Sequence, residues 1–284
     1  MGGVTKMKWN IIADSSCDLK ELETHNPNIN FEKVPFVFHF GNKEFVDNEN
    51  LSLDQLLDEM ASYSGTGKTS CPSSGDWYNL FKKEGNVIAI TISHGVSGSY
   101  QNAVNARQMV LEEEPDKKIC IIDSYSAGSV LSLIALEAER LINEGKTFEE
   151  IAIALEEYRK QRQTMFALCS FNNLVKNGRV SRLSGFLAGI LGIWGIGVAT
   201  PEGTIGVKTK TRGMHKAISI LLQDMKDHLF NGGRVIITHV LNLELANKLA
   251  EAIKETFKNT KVLILESQGL CSFYAEKKGL ILGY

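Results

Sequence analysis

The chain has 284 residues, 43% of them hydrophobic, with 31 basic and 33 acidic side chains and a net charge of -2. That length and apolar content support a substantial core and exclude a disordered chain, and the interspersed charges leave no basic stripe for nucleic acid or anionic lipid. Cys17, Cys71, Cys120, Cys169 and Cys271 are widely spaced and form no CxxC pair, so neither a zinc site nor a disulfide framework is indicated. A reducing cytoplasm is the expected compartment, and the N-terminal MGGVTKMKWN carries no secretory pattern.

In chain order, Trp9 to Ala13 reads as a buried strand, followed by the turn DSSCD and a short helix near Leu19 to Glu23. Phe31 to Asn48 alternates aromatic and polar residues about Gly41-Asn42, the pattern of a hairpin. Helices are expected near Leu53 to Tyr63 and Asp76 to Lys83, with a glycine-rich loop between them. Asn86 to Ala103, NVIAITISHGVSGSYQNA, is a strand that breaks into Ser and Gly before resuming at helical spacing. Lys118 to Asp123 is a strand, and helices follow from about Ala127 to Asn143 and Phe148 to Arg162. Strands separated by helices imply a mostly parallel sheet.

From Thr164 the pattern changes. A strand (Thr164 to Ser170), a short helix and the glycine turn Asn177-Gly178-Arg179 precede Leu183 to Thr200, eighteen residues without a charge. That stretch is near membrane-span length, but it holds five glycines and ends at Pro201, so it is expected as a buried helix with apolar faces all round. ATPEGTIGVKTKTRG then alternates like a hairpin closed at Glu202-Gly203. Helices near Met214 to His228 and Leu243 to Phe257 flank strands Arg234 to His239 and Lys261 to Glu266, with a last strand at Leu280 to Gly283. The expected fold is α/β in two domains: residues 1–163 with a mostly parallel sheet flanked by helices, and residues 164–284 as a mixed α/β unit.

Candidate chemistry lies in hydroxyl clusters that follow strands. Ser93, Ser97 and Ser99, with Gly98, offer hydroxyls and backbone N–H groups at a helix N terminus, suited to holding an anion. Further clusters are Asp14-Ser15-Ser16, Lys68-Thr69-Ser70-Cys71-Pro72-Ser73 and Asp123-Ser124-Tyr125-Ser126. In an open α/β sheet such clusters converge on one crevice beyond the strand ends. Each is equally readable as an ordinary helix cap. Arg179, after its glycine turn, can offer a fixed fork to a carboxylate or sit as a surface arginine. His94 and His239 lie at strand ends, as ligand contacts or as structural residues. A triad of Ser93, His239 and Asp14 has no G-x-S-x-G around it, HGVSGS lacks the lysine of a phosphate loop, and no metal cluster is apparent. No cofactor is expected.

Taken together, ADSSCDL (13–19), VPFVFHFGNKEFVDN (34–48), KTSCPS (68–73), ISHGVSGSYQNA (92–103), IDSYSAG (122–128), LVKNGRVS (174–181) and KTRGMHKA (210–217) resemble the successive motifs of the DegV family, over nearly the whole chain. The resemblance implies a two-domain protein that holds one long-chain fatty acid between its domains and presents it to a separate fatty acid kinase, which forms acyl phosphate for bacterial phospholipid synthesis. By position, Thr69 and Ser93 resemble the hydroxyls that hold the carboxylate, with Ser70 and Ser97 beside them, and Arg179 matches the arginine of the family's GGR motif. The family's His-x-Gly-Pro-Gly falls on Ser267-Gln268-Gly269-Leu270-Cys271, so Ser267 stands where a histidine usually meets the carboxylate, and His94 is the candidate to replace it. Burying roughly 15 methylenes at about 0.8 kcal/mol each offers on the order of 12 kcal/mol before ordering costs, so the tail supplies affinity and the head site orientation. The expectation is a cytoplasmic lipid-binding protein that is not itself an enzyme, without stable membrane insertion. The alternative is a phosphotransferase or hydrolase acting on a small hydroxylated substrate, because the family's first domain resembles a dihydroxyacetone kinase fold.

Overall fold

A computed structural model describes residues 7–180 and 192–284. In chain order the elements are β1 (Trp9–Asp14), β2 (Ile29–Val34), β3 (Val37–Phe40), β4 (Lys43–Val46), α1 (Leu53–Ser62), β5 (Lys68–Ser70), α2 (Ser74–Phe81), β6 (Asn86–Thr91), α3 (Ser99–Glu113), β7 (Ile119–Asp123), α4 (Ser129–Asn143) and α5 (Phe148–Lys160). They continue with β8 (Thr164–Leu168), α6 (Asn172–Lys176), β9 (Ile193–Ala199), β10 (Ile205–Arg212), α7 (Met214–Asp227), β11 (Gly233–His239), α8 (Leu243–Thr256), β12 (Thr260–Glu266), α9 (Gly269–Ala275) and β13 (Leu280–Gly283).

The strands up to β7 build a parallel four-stranded sheet, β2-β1-β6-β7, and a small antiparallel sheet, β4-β3-β5. Those from β8 on build a mixed six-stranded sheet, β10-β9-β8-β13-β11-β12, in which only β11 and β12 run parallel among the described strands. In the parallel sheet β1 and β6 are buried along their whole length, because helices cover both faces. Trp77, Phe81, Ala103, Ala106 and Val110 of α2 and α3 pack one face, and α4 and α5 pack the other. Nearly every residue of α4 is buried because the helix lies between the two larger sheets: it packs against β1 and β11, and Ser129 donates to the Ile281 carbonyl at 3.0 Å. The small sheet packs its aromatic face on α9, with Phe38 and Phe40 at 5.6 and 6.1 Å from the Phe273 ring.

Several expectations are corrected. The stretch 19–23 is irregular rather than helical. The segment 31–48 is not one hairpin: its start belongs to β2 in the parallel sheet, and only β3 and β4 form the hairpin, across Gly41 at φ +62°. The expected glycine-rich loop contains β5, which pairs with β3, and α9 was not anticipated. The long apolar stretch is not a single helix. Its end, Ile193–Ala199, is β9, whose glycines alternate with Trp194, Ile196 and Val198 at the period of a strand. Over Ile193–Ala199 the charge-free composition is that of a strand flanked by β8 and β10, and the residues from Leu183 to Leu191 lie outside the described ones. Gly197 is there for space, since a Cβ would sit 2.2 Å from the Phe166 ring of the paired strand β8. Among the described residues no helix is long and apolar enough to cross a membrane.

Candidate functional site

Parallel pairing brings the carboxyl ends of β1, β6 and β7 to one edge, and the hydroxyl clusters meet there. Asp14, fully buried at the end of β1, organises them. One of its oxygens accepts from the Ser16 hydroxyl at 2.6 Å, and the other from the Ile92 amide at 2.8 Å and the Ser99 hydroxyl at 2.7 Å. Burial pushes its carboxyl upward in pKa, and these hydrogen bonds oppose that shift. The Ser93 amide donates to the Ser126 carbonyl at 2.9 Å, closing the β6 and β7 loops on each other.

A cavity of about 110 Å³ opens above this edge, between the parallel sheet, the six-stranded sheet and α9. Roughly 10–15 Å³ admits one water, so the space has room for more than a single solvent molecule. Its walls are mostly apolar: Phe36, Ile92, Val96, Phe166, Leu168, Leu174, Ile205, Leu270 and Ile281. The polar side chains on it include Thr69, Ser93, Ser97, Arg179 and Tyr274.

Of the residues singled out from sequence, Thr69, Ser93, Ser97 and Arg179 line this cavity, whereas Ser70, His94, Gly98 and Ser267 are not part of its lining. The Thr69 hydroxyl pairs with the Tyr274 hydroxyl at 2.9 Å. Ser93 donates to the Gly203 carbonyl at 2.6 Å and accepts from the Gly95 amide at 3.1 Å, so the β9–β10 turn is clasped onto the β6 loop. Arg179 donates from Nε to the Val96 carbonyl at 3.2 Å and from Nη1 to the Asn177 carbonyl at 2.6 Å. Asn177 in turn donates to the Gly67 carbonyl at 3.1 Å, which links the α6 turn to the approach of β5.

Ser70 is exposed and bonded to His39 at 2.8 Å, because alternation along β5 sends Thr69 and Ser70 to opposite faces. Gly98 is the exposed residue before α3 and makes no side-chain cap. The capping alternative holds for Ser73, which accepts from the Asp76 amide in a capping box. His94 is half-exposed, its Nδ1 2.6 Å from the Asp123 carboxylate and its ring 5.1 Å from Tyr125. Ser267 is buried and pairs with the Ser272 hydroxyl, on the side of a separate polar groove lined by Lys20, Lys33 and Asp47. Ser93, His239 and Asp14 form no triad. The Asp14 oxygens serve the groups named above, and His239 Nδ1 accepts from the Asn242 amide at 3.3 Å.

Sequence reasoning missed Tyr274 and the acids that hold its helix. Asp47 accepts from the Gly269 and Leu270 amides at 3.0 and 2.9 Å, and Asp18 from the Gln268 amide at 2.7 Å. Burial pushes Asp18 up to about 7 and Asp47 to about 6. The available signal was a tyrosine in the apolar run after β12, since a buried tyrosine needs a partner for its hydroxyl.

The family model for DegV, described as a family of uncharacterised proteins, matches residues 8–282. The chain belongs to the DegV family. It is similar to a DegV domain-containing protein of Streptococcus pyogenes, 38% identical over 278 residues that cover 98% of this chain and 99% of the relative. Two solved structures share its fold. One is the fatty acid kinase (Fak) B3 protein of Streptococcus pneumoniae loaded with linoleic acid, at TM-score 0.94 and 37% identity, covering 98% of this chain and 99% of that one. The other is a DegV family protein from Eubacterium eligens loaded with heptadecanoic acid, at TM-score 0.92 and 37% identity, covering 97% and 98%.

Proposed function

We propose that this DegV chain binds one long-chain fatty acid in the cavity between its sheets and presents it to a fatty acid kinase for acyl phosphate formation, without being an enzyme by itself. The observation that carries the reading is the cavity: apolar walls from both larger sheets, with neutral hydroxyls and the Arg179 guanidinium as its polar groups. In this reading the tail lies against Phe166, Leu168, Leu174 and Ile205, and the carboxylate lies toward Thr69, Ser93, Ser97 and Arg179. An unpaired buried carboxylate would cost several kcal/mol, and hydrogen-bond donors offset that cost. The loaded relatives from Streptococcus pneumoniae and Eubacterium eligens support the ligand class. The proposal includes two domains, 1–163 and 164–284, with the cavity at their junction, and a cytoplasmic location in keeping with five free cysteines.

Native mass spectrometry of protein purified from bacteria tests the ligand. A co-purified fatty acid is expected, and absence of lipid together with no uptake of added acid overturns the proposal. ATP with magnesium and no partner is expected to leave the melting temperature unchanged; a clear upward shift would favour a phosphotransferase instead. Adding a fatty acid kinase and ATP to the loaded protein is expected to yield acyl phosphate.

A further inference from the structure

The hydroxyls of the cavity are not equally available to an anion. An ionised carboxylate only accepts hydrogen bonds, so it needs a hydroxyl whose hydrogen is free. Ser93 commits its hydrogen to the Gly203 carbonyl at 2.6 Å, and Ser16 commits its own to Asp14 at 2.6 Å. Ser126 and Thr164 bond each other, and Ser126 also reaches the Ala127 carbonyl at 3.3 Å. Thr204 bonds Thr200 at 2.8 Å, and Thr200 serves the Glu202 carboxylate.

Ser97 accepts from the Ser99 amide at 3.2 Å and is a single alcohol with no hydroxyl feeding it, whereas Thr69 and Tyr274 act as a pair. Two hydroxyls 2.9 Å apart carry two hydrogens, and their mutual bond uses one. The other is left for a guest in the cavity that both side chains line. A phenol is a stronger donor than an aliphatic alcohol, and accepting from Thr69 polarises it further, so the favoured relay runs from Thr69 to Tyr274 to the anion. The pair is also held in place. Tyr274 stands edge-on to Phe273 at 4.9 Å, Asn173 donates to the Phe273 carbonyl at 2.8 Å, and Asp47 holds the start of α9. Thr69 is fixed by the pairing of β5 with β3.

We propose that Tyr274, relayed by Thr69, is the hydroxyl that receives the carboxylate of the bound acid, a role that Ser267 is not placed to fill. This rests on the fatty-acid reading above. The test is binding of palmitate and of methyl palmitate to delipidated full-length protein, wild type against Tyr274→Phe, Thr69→Val and the double variant. Tyr274→Phe keeps the ring and removes one hydroxyl. It is expected to raise the palmitate Kd about 10- to 100-fold, the loss typical of a hydrogen bond to a charged group, and to raise the ester's Kd by less, because a neutral carbonyl accepts a weaker bond. Thr69→Val is expected to cost less, and the double variant no more than Tyr274→Phe alone. Unchanged palmitate affinity in Tyr274→Phe, equal losses for acid and ester, or fully additive losses would each overturn the proposal. Wild-type protein that binds neither ligand removes the fatty-acid reading itself, and this inference with it.

Discussion

Replacing Gly197 with alanine tests how the sheet shapes the cavity. Gly197 on β9 lies opposite Phe166 on β8, and a Cβ there would stand 2.2 and 2.3 Å from two ring atoms and 2.5 Å from the Gly206 carbonyl of the neighbouring strand. Carbon contacts are comfortable near 3.5–4.0 Å, so the ring must retreat by more than about 1 Å, and the backbone carbonyl offers no such easy relief. Overpacking of this kind costs about 1–3 kcal/mol, which at about 2–4 °C per kcal/mol for large domains lowers Tm by about 2–12 °C. Phe166 already packs near Phe171, with ring centroids 6.0 Å apart, and the open space beside it is the cavity. The displaced ring is therefore expected to take room from the tail. Each excluded methylene removes about 0.8 kcal/mol, so two methylenes weaken binding of an 18-carbon acid about 15-fold, with a smaller effect on a 12-carbon acid. Thermal denaturation of lipid-free protein and calorimetric titration with both acids measure the two effects. Adding Phe166→Leu, which deletes the clashing ring, is expected to recover part of both losses non-additively. A wild-type Tm in Gly197→Ala would refute the contact geometry. Lost stability with unchanged affinity for the longer acid would refute the placement of Phe166 beside the tail.

Thr69→Ala is expected to weaken fatty-acid binding by about 1 kcal/mol in calorimetric titration, and Ser93→Ala, which leaves the Gly203 carbonyl without its donor, to lower stability by about 1 kcal/mol with a smaller effect on affinity; unchanged affinity in Thr69→Ala argues against the head-site assignment. Asp18 supplies a pH dependence. Burial raises its pKa from 3.8 to about 7, so between those values the folded state binds more protons than the unfolded one. Stability therefore falls as pH rises through that window, and the loss persists above it. Asp18→Asn is expected to flatten the urea midpoint between about pH 5 and 8 and to gain more at the upper end; a profile parallel to wild type argues against a buried acid titrating there.

The convergence of hydroxyl clusters was legible in the sequence because it needs only local information. Short continuous apolar runs at Trp9, Asn86 and Lys118, each followed by serines, imply parallel strands whose ends share an edge. The hairpin across Glu202-Gly203 was equally local, its turn held by the Gly203 amide on the Thr200 carbonyl at 2.8 Å. The tertiary structure alone decided which polar groups face the cavity. Thr69 and Tyr274 stand 205 positions apart, and the pairing of β5 with β3 and the packing of α9 on that sheet bring their hydroxyls together. Ser267, singled out by position, bonds Ser272 instead. The charge-free run read as a helix because composition does not separate a buried strand from a buried helix, and β9 became a strand because β8 and β10 offered it hydrogen-bond partners on both sides. Periodicity and turns are written into neighbouring residues, whereas a cavity wall depends on how distant elements pack.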